Sequence, residues 1–132
     1  HLIKEVDGDP KKIPAKFQEK RFVGVDARHF DLIQEAMVEA IYGTAARAVM
    51  TDLVIAGKTG TAQNPHGEDH SVFIAFAPKD NPTIAIAVYV ENAGWGGRAA
   101  ASTASLMIEK YIRRTISRPE LQEYVLAGNF VN

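Results

Sequence analysis

Three strand-like segments follow one another in the middle of the chain, separated by short turns. They are predicted at 52–61, 71–77 and 83–91, and the connection between the last two is Pro78-Lys79-Asp80-Asn81-Pro82. Turn-forming residues of this kind join neighbouring strands into a hairpin, and strands connected by so few residues pair antiparallel. The chain is therefore predicted to contain an antiparallel sheet.

Helical patterns flank these strands. Apolar residues recur three or four apart in 27–42, between a capping residue, Asp26, and Gly43, which is suited to end a helix. A closing helix is predicted at 99–114. The apolar stripes expected to face the core are Phe30, Ile33, Met37 and Ile41 in the first helix and Ala100, Ala104, Met107 and Tyr111 in the second.

The middle strand segment, 71–77, is apolar without alternation, which predicts that helices cover both faces of the sheet. The fold class is therefore α+β, with an antiparallel sheet flanked by helices. Less regular patterns predict a short strand at 1–6, a short helix at 44–50, and a short helix and tail within 121–132.

Composition narrows the classes of function. The 132 residues are 46% apolar and 23% charged, which favours one packed domain. There is no cysteine, so a disulfide scaffold, a thiolate nucleophile and a Cys-ligated metal are excluded. The net charge of −1 offers no field for a nucleic acid, and no apolar run reaches the roughly 20 residues that span a bilayer. We expect no cofactor and no nucleic-acid partner.

The chemically informative segment is Gly57-Lys58-Thr59-Gly60-Thr61, at the end of a predicted strand. Gly57-Lys58-Thr59 also ends the phosphate-binding P-loop motif. That motif needs a glycine five residues before Gly57, where the chain has Asp52, and a helix directly afterwards, where the chain has a turn. A nucleotide site is therefore disfavoured.

The alternative is the Lys-Thr-Gly element of active-site serine enzymes. On a strand that lines a cleft, the Lys58 ammonium can interact with a substrate carboxylate or with a catalytic hydroxyl, and the Thr59 hydroxyl can donate a hydrogen bond. Gly60 lets substrate and nucleophile approach the backbone. Thr61 points to the same side as Thr59, and its N–H can face a developing oxyanion. The predicted catalytic residues are Lys58 and Thr61, and the predicted substrate-binding residues are Thr59, Gly60 and Thr61.

The surroundings of this element resemble the class B penicillin-binding proteins, in particular the elongation-type members, over about 22–112. The matching segments, in chain order, are Gly43-Thr44-Ala45, Ala56 to Gln63, Asp69-His70, Phe73 to Pro78, Asn81-Pro82 and Glu91-Asn92. The resemblance implies the C-terminal part of a transpeptidase domain with a penicillin-binding protein or serine β-lactamase-like fold.

The resemblance also implies an activity and a location. The expected enzyme is a D,D-transpeptidase that cross-links peptidoglycan stem peptides through a serine acyl-enzyme, is acylated by β-lactams, and serves cell elongation and shape. It would face the periplasm from the bacterial inner membrane, anchored outside this chain. The implied partners are the upstream part of the same domain, a membrane glycosyltransferase and other elongation-complex proteins.

One departure from the family is decisive. The family needs a Ser-x-x-Lys and a Ser-x-Asn element, but the chain has only Ser71, Ser102, Ser105 and Ser117, and none of them begins either element. Both elements normally precede Lys-Thr-Gly. Residues 1–132 are therefore expected to be a C-terminal fragment of the domain, with His1 at a cut end, and inactive when isolated.

Two other functions remain open. A serine β-lactamase or β-lactam sensor shares the Lys-Thr-Gly strand, and a non-catalytic peptidoglycan-binding relative would lack the serine altogether. Among single residues, Trp95 is expected to be a half-buried anchor rather than a border of the substrate groove. His66 and His70 are not expected to be metal ligands, and Asp69-His70 is expected to be structural, fixing the loop that leads into the next strand. Arg113, Arg114 and Arg118 are expected at a solvated helix end rather than at a contact with a partner protein.

Overall fold

A computed structural model describes residues 5–19 and 22–131 of the chain. In chain order, its helices and strands are α1 (Ala27–Tyr42), β1 (Ala56–Ala62), β2 (His70–Ala77), β3 (Ile84–Val90), α2 (Ala99–Arg113) and α3 (Pro119–Ala127). Short 3-10 turns lie at Pro10–Lys12, Ala15–Phe17 and Ala46–Ala48.

The three strands form one antiparallel sheet in the order β1-β2-β3. In the register of β1 against β2, Thr59 lies opposite Phe73 and Thr61 opposite Ser71. Helices pack against this sheet, so the predicted α+β class is confirmed. β2 and β3 also begin and end within one residue of the predicted segments.

The first helix has the bounds that its caps predict. The Asp26 carboxylate accepts a hydrogen bond from the Arg28 N–H at 3.0 Å, which satisfies one of the free donors at the helix start. At the other end, the Gly43 N–H donates to the Glu39 carbonyl. The predicted apolar stripe is only partly correct, because Ile41 is buried whereas Phe30 and Ile33 are exposed.

The core lies on one face of the sheet, against α2. The small residues of this helix let its backbone come close to β2. The buried cluster contains Ile41, Ala45, Ala48, Met50 and Ile55 before and at the start of the sheet, Phe73, Ala75 and Ala77 in β2, and Ala100, Ala101, Ala104 and Ile108 in α2. The stripe predicted for α2 is wrong beyond Ala104. Its buried face continues to Ile108, while Met107 and Tyr111 are exposed.

The opposite face of the sheet is open around Ile74 in the described part of the chain, although Ala56 at one end of this face is fully buried. Burial alternates along β2: Ser71, Phe73, Ala75 and Ala77 are buried, but Ile74 is 48% exposed. The prediction that both faces are covered is therefore wrong for this part of the chain, since α2 packs on the Phe73 face alone. Tyr89, on β3, is also exposed.

Three weaker predictions concern the ends and the region before β1. The strand predicted at 1–6 lies mostly outside the described residues. Within its described part, Val6 forms an isolated bridge with Asp9. The helix predicted at 44–50 is a 3-10 turn at Ala46–Ala48, and the last helix begins at Pro119. Within 5–19 and 22–131, no helix is long and apolar enough to cross a bilayer.

A buried carboxylate fixes the connection between α2 and α3. Glu109 is fully buried and accepts hydrogen bonds from the Ser117 N–H at 3.0 Å and the Arg118 Nε at 3.0 Å. Its other cationic neighbour is Arg113, at 3.3 Å. Burial raises the pKa of Glu109, but hydrogen bonds from Ser117 and Arg118 outweigh it and hold the pKa below its ordinary value. Arg113 and Arg118 are thus not at a simple solvated helix end, contrary to expectation.

This arrangement predicts an acid-sensitive contribution to stability. A glutamate with a lowered pKa in the folded state stabilises the fold above its ordinary value of 4.5, and this contribution is lost as the pH falls through the folded-state pKa. At pH 7, Glu109→Gln is expected to lower the free energy of unfolding by about 2 kcal/mol.

Urea denaturation at pH 7 and pH 4 measures both effects. The difference between parent and Glu109→Gln should shrink at pH 4, because Glu109 in the unfolded parent then binds protons that the folded state, with its lowered pKa, binds less readily. A difference that stays constant between these pH values would show that the carboxylate charge does not stabilise the fold. Glu123→Gln, at an exposed position of α3, is the matched control.

Candidate active site: the edge of the first strand

The Lys-Thr-Gly element lies inside β1, an edge strand of the described sheet. Side chains alternate along a strand, so Lys58 and Gly60 point to one face and Thr59 and Thr61 to the other. The register of β1 against β2 shows which face is which. Thr59 and Thr61 share the face of Phe73, which α2 covers, whereas Lys58 and Gly60 share the open face.

The backbone of this element faces the unpaired edge at Thr59 and Thr61. The Lys58 ammonium donates to the Thr59 carbonyl at 2.6 Å, which shows that this carbonyl is accessible from outside the sheet. In an antiparallel strand, the N–H and C=O of one residue point to the same side, and this side alternates along the strand. The Thr61 N–H is therefore also directed towards the open edge.

The end of α1 supports Thr59. The hydroxyls of Thr59 and Thr44 lie 3.1 Å apart in hydrogen-bonding contact. A Cβ added at Gly97 would lie only 2.0 Å from the Thr44 carbonyl oxygen. The turn after α1, β1 and the loop before α2 therefore meet at this point, with no space for a side chain at residue 97.

The loop at 92–98 contacts Thr61, whose side chain stays exposed. The Gly96 N–H lies 3.5 Å from the Thr61 hydroxyl. A Cβ at Gly96 would lie 2.3 Å from the Gly60 carbonyl oxygen and 2.5 Å from that of Val72. Gly96 therefore rests directly on the backbone that joins β1 to β2, beside the predicted catalytic residue.

A buried hydroxyl ties this loop to the core. The Ser71 hydroxyl donates to the Trp95 carbonyl at 3.0 Å and accepts from the Ala100 N–H, also at 3.0 Å. Ser71 is fully buried and lies opposite Thr61 in the sheet. It therefore fixes both the loop and the first turn of α2 relative to the candidate site.

Polar contacts hold the loop between β1 and β2. The Asp69 carboxylate accepts from the Asn64 N–H at 3.1 Å, and His70 Nδ1 accepts from the Asn92 N–H at 3.0 Å. In the described ranges, no group of three or more metal-ligating side chains comes together. Asp69 and His70 thus have the structural role that their place in the sequence predicts.

Trp95 does not have the environment expected for it. The side chain is 74% exposed, so the prediction of a half-buried anchor is wrong. Gly94 and Gly96 on either side bring the backbone against β1 and Asp69, which leaves the indole ring outside. Trp95 is held on the outer side of the candidate site, and its role as a border of the groove stays a prediction.

Sequence reasoning missed four supporting residues: Thr44, Ser71, Gly96 and Gly97. Ser71 was considered only as a nucleophile. A glycine pair in a loop does indicate close backbone approach, but the sequence does not say which strand the loop approaches. The contacts of Gly96 and Gly97 join residues that are far apart in the sequence, and local patterns carry no information on such pairs.

Substitutions at Gly60 distinguish a structural role of this residue from a functional one. A Cβ at Gly60 would meet Val72 Cβ at 3.5 Å, an ordinary contact distance, so the sheet has space for a side chain. In the penicillin-binding enzyme that the Lys-Thr-Gly resemblance implies, Gly60→Val is expected to keep a melting temperature near that of the parent but to be acylated by penicillin at least about tenfold more slowly, because the side chain would displace an acyl group from the strand edge.

Melting curves and second-order acylation rate constants on one preparation test this prediction, with Gly60→Ala expected to be intermediate. Parent-like acylation by a well-folded Gly60→Val protein would remove this face of β1 from the reaction site.

Comparison with known proteins agrees with this architecture. Residues 1–109 match the family model described as the penicillin binding protein transpeptidase domain. The chain is 42% identical over 84 residues to the peptidoglycan D,D-transpeptidase MrdA of Acinetobacter baumannii, an alignment that covers 52% of this chain and 12% of that protein. The chain thus spans a small part of the relative's length.

Two solved structures share the fold. Penicillin-binding protein 2 (PBP2) of Pseudomonas aeruginosa, in complex with WCK 5153, matches with a TM-score of 0.67 and 33% identity over 85% of this chain and 25% of that one. Penicillin-binding protein A of Mycobacterium tuberculosis, a ceftriaxone acyl-enzyme complex, matches with a TM-score of 0.52 and 26% identity over 82% and 22%. The chain belongs to the penicillin-binding protein transpeptidase domain family and is similar to PBP2-type members.

Proposed function

We propose that this chain is the Lys-Thr-Gly part of a peptidoglycan D,D-transpeptidase of the elongation type. The enzyme would cross-link stem peptides through a serine acyl-enzyme and would be acylated by β-lactams. The observation that carries this proposal is the position of Lys58-Thr59-Gly60-Thr61 on an open strand edge, in a chain that belongs to the transpeptidase family.

In this mechanism, Lys58 supplies positive charge on the open face of β1. Its side chain is exposed, and the one hydrogen bond described for its ammonium is to the Thr59 carbonyl. An ammonium carries three donors, so two remain for a substrate carboxylate and a catalytic hydroxyl. Lys58 would attract the carboxylate and stabilise the deprotonated form of the attacking hydroxyl.

Thr59 and Thr61 would act on the other face and at the edge. Their hydroxyls lie on the Phe73 side of β1, but Thr61 is exposed and Thr59 is partly exposed at the unpaired edge, and it is at this edge that they would bind the substrate carboxylate. The Thr61 N–H, directed towards the open edge, would donate to the oxyanion that forms as serine attacks the acyl carbonyl. One such donor typically accounts for about 100-fold to 1000-fold in rate.

The nucleophile would come from the upstream part of the same domain. Three of the four serines in this chain, Ser71, Ser102 and Ser105, are fully buried, and the Ser117 hydroxyl is bound to Glu109. The open face that carries Lys58, Gly60 and Ile74 is the surface on which that part would pack. We further propose a periplasm-facing enzyme on the inner membrane, working with a glycosyltransferase and other elongation proteins.

Labelling with a fluorescent penicillin tests this function. The intact enzyme should form a stable, stoichiometric adduct and should join a donor stem peptide to an acceptor amine, whereas residues 1–132 alone should form no adduct. Rapid release of the adduct would indicate a β-lactamase, and absence of any adduct on the intact enzyme would indicate a non-catalytic relative. Either result, or a stoichiometric adduct on the isolated chain, would overturn the proposal.

A further inference from the structure

The C-terminal segment at 119–131, which comprises α3 and the tail that follows it, lies outside the part of the chain that matches the family model. The segment folds back towards the candidate site. Within it, the rings of Tyr124 and Phe130 meet edge to face, with centroids 5.4 Å apart at 76°. The tail is therefore packed onto its own helix through an aromatic pair.

The Tyr124 ring of this aromatic pair contacts the turn after α1. The guanidinium carbon of Arg47 lies 4.2 Å from the centroid of the Tyr124 ring, which is a cation–π contact. Arg47 belongs to the 3-10 turn that begins two residues after Thr44. Thr44 is the residue whose hydroxyl contacts Thr59.

The backbone of Phe130, in the tail after α3, contacts the loop at 92–98. Arg98 Nη1 donates a long hydrogen bond, 3.5 Å, to the Phe130 carbonyl. A cavity of about 260 Å³ lies between the tail and this loop, and is lined by Glu68, Gly94, Trp95, Arg98, Phe130 and Val131. The tail thus lies against the loop whose Gly96 N–H contacts the Thr61 hydroxyl.

We propose that the segment at 119–131 is a strap that positions both supports of the predicted substrate groove. Tyr124 and Phe130 are positioning residues, because they contact the segments that hold Thr59 and Thr61 rather than those residues themselves. The inference rests on the proposed function for its effect on acylation. The strap contributes little to the global core, since none of its residues belongs to the buried cluster, so loosening it should alter the groove before it alters the fold.

The test uses the intact enzyme with Phe130→Ala, the conservative variant Phe130→Tyr, and Leu126→Ala as the matched control on the same helix, where the side chain is 78% exposed. Penicillin acylation is resolved into the initial binding constant and the first-order acylation step. Acrylamide quenching of Trp95, taken by difference against Trp95→Phe, reports on the loop independently of activity. Melting temperatures give the folded fraction.

We expect Phe130→Ala to melt within about 2 °C of the parent. Its acylation efficiency should fall about fivefold, because a displacement well below 1 Å already weakens alignment at a reaction centre. Quenching of Trp95 should change, and Phe130→Tyr and Leu126→Ala should match the parent. Arg47→Gln removes the cation that contacts the Tyr124 ring, and it should likewise lower the acylation efficiency. It replaces Phe130→Ala as the test variant if Phe130→Ala does not fold.

Acylation and Trp95 quenching like those of the parent, in a folded Phe130→Ala protein, would overturn the proposed positioning role of the strap. A loss of acylation that is fully explained by the unfolded fraction of the variant would overturn it as well. If the parent itself is not acylated, the proposed function fails. The quenching comparison still decides whether the tail positions the Trp95 loop, so the two failures are distinguishable.

Discussion

In the intact enzyme, Lys58→Ala is expected to lower the rate constant for penicillin acylation by about 100-fold or more while the melting temperature stays within about 2 °C of the parent. The large kinetic effect follows from position. Lys58 lies on the open face of the edge strand, with its ammonium at the Thr59 carbonyl. In the proposed mechanism, negative charge is bound or develops beside it.

The small effect on stability follows from exposure. The Lys58 side chain is exposed and takes part in no described salt bridge, and substitutions at such positions change stability by roughly 0.5 kcal/mol or less. Lys58→Met keeps the aliphatic chain without the charge and should be as slow as Lys58→Ala. Lys11→Ala, an exposed lysine before α1, is the control for the loss of one positive charge. Equal acylation rates in Lys58→Ala and the parent would remove Lys58 from the mechanism.

Gly96→Ala is expected to have an effect of similar size by a steric route. Its new Cβ would lie 2.3 Å and 2.5 Å from two carbonyl oxygens of the β1–β2 ladder, those of Gly60 and Val72. These are backbone atoms held by the sheet, so the loop must move instead, by about 1 Å. A displacement of this size at a reaction centre can lower the rate about 100-fold, and the strain should destabilise the fold by about 1–3 kcal/mol.

The control for this substitution is Gly43→Ala, since a Cβ at Gly43 would have 3.8 Å to its nearest neighbour, the Glu39 carbonyl oxygen. Gly43→Ala should be folded and acylated like the parent. Acylation rates must be corrected for the folded fraction of each variant, taken from urea denaturation. A folded Gly96→Ala protein with the acylation rate of the parent would show that the loop at 92–98 does not shape the reaction site.

Local patterns predict the regular elements of this chain well. The bounds of α1 follow from Asp26 and Gly43 because capping is decided by residues within one turn of the helix end. β1 is shorter than predicted. It begins at Ala56 rather than Asp52, since the Val54 carbonyl accepts from the Lys79 N–H and Ile55 enters the core before the ladder begins.

Long-range packing accounts for what the sequence did not predict. Helical periodicity places a polar residue such as Glu109 on the solvent side, but the return of the chain at Ser117 and Arg118 buries it. Likewise, the apolar run in β2 does not reveal that Ile74 faces the open side of the sheet. For the candidate site, the motif predicts Lys58 to Thr61, whereas the supports at Thr44, Ser71, Gly96 and Gly97 depend on contacts between distant segments.

In the proposed enzyme, the edge of β1 forms the wall of the acylation site, with the Thr61 N–H directed at the oxyanion. The most direct measurement is a crystal structure of the intact enzyme acylated by a penicillin. The acyl carbonyl oxygen should lie within about 3.1 Å of the Thr61 nitrogen, with the penicillin carboxylate at the Thr59 and Thr61 hydroxyls and Lys58 beside the acylated serine. An acyl-enzyme whose carbonyl oxygen accepts no hydrogen bond from Thr61 would contradict the account.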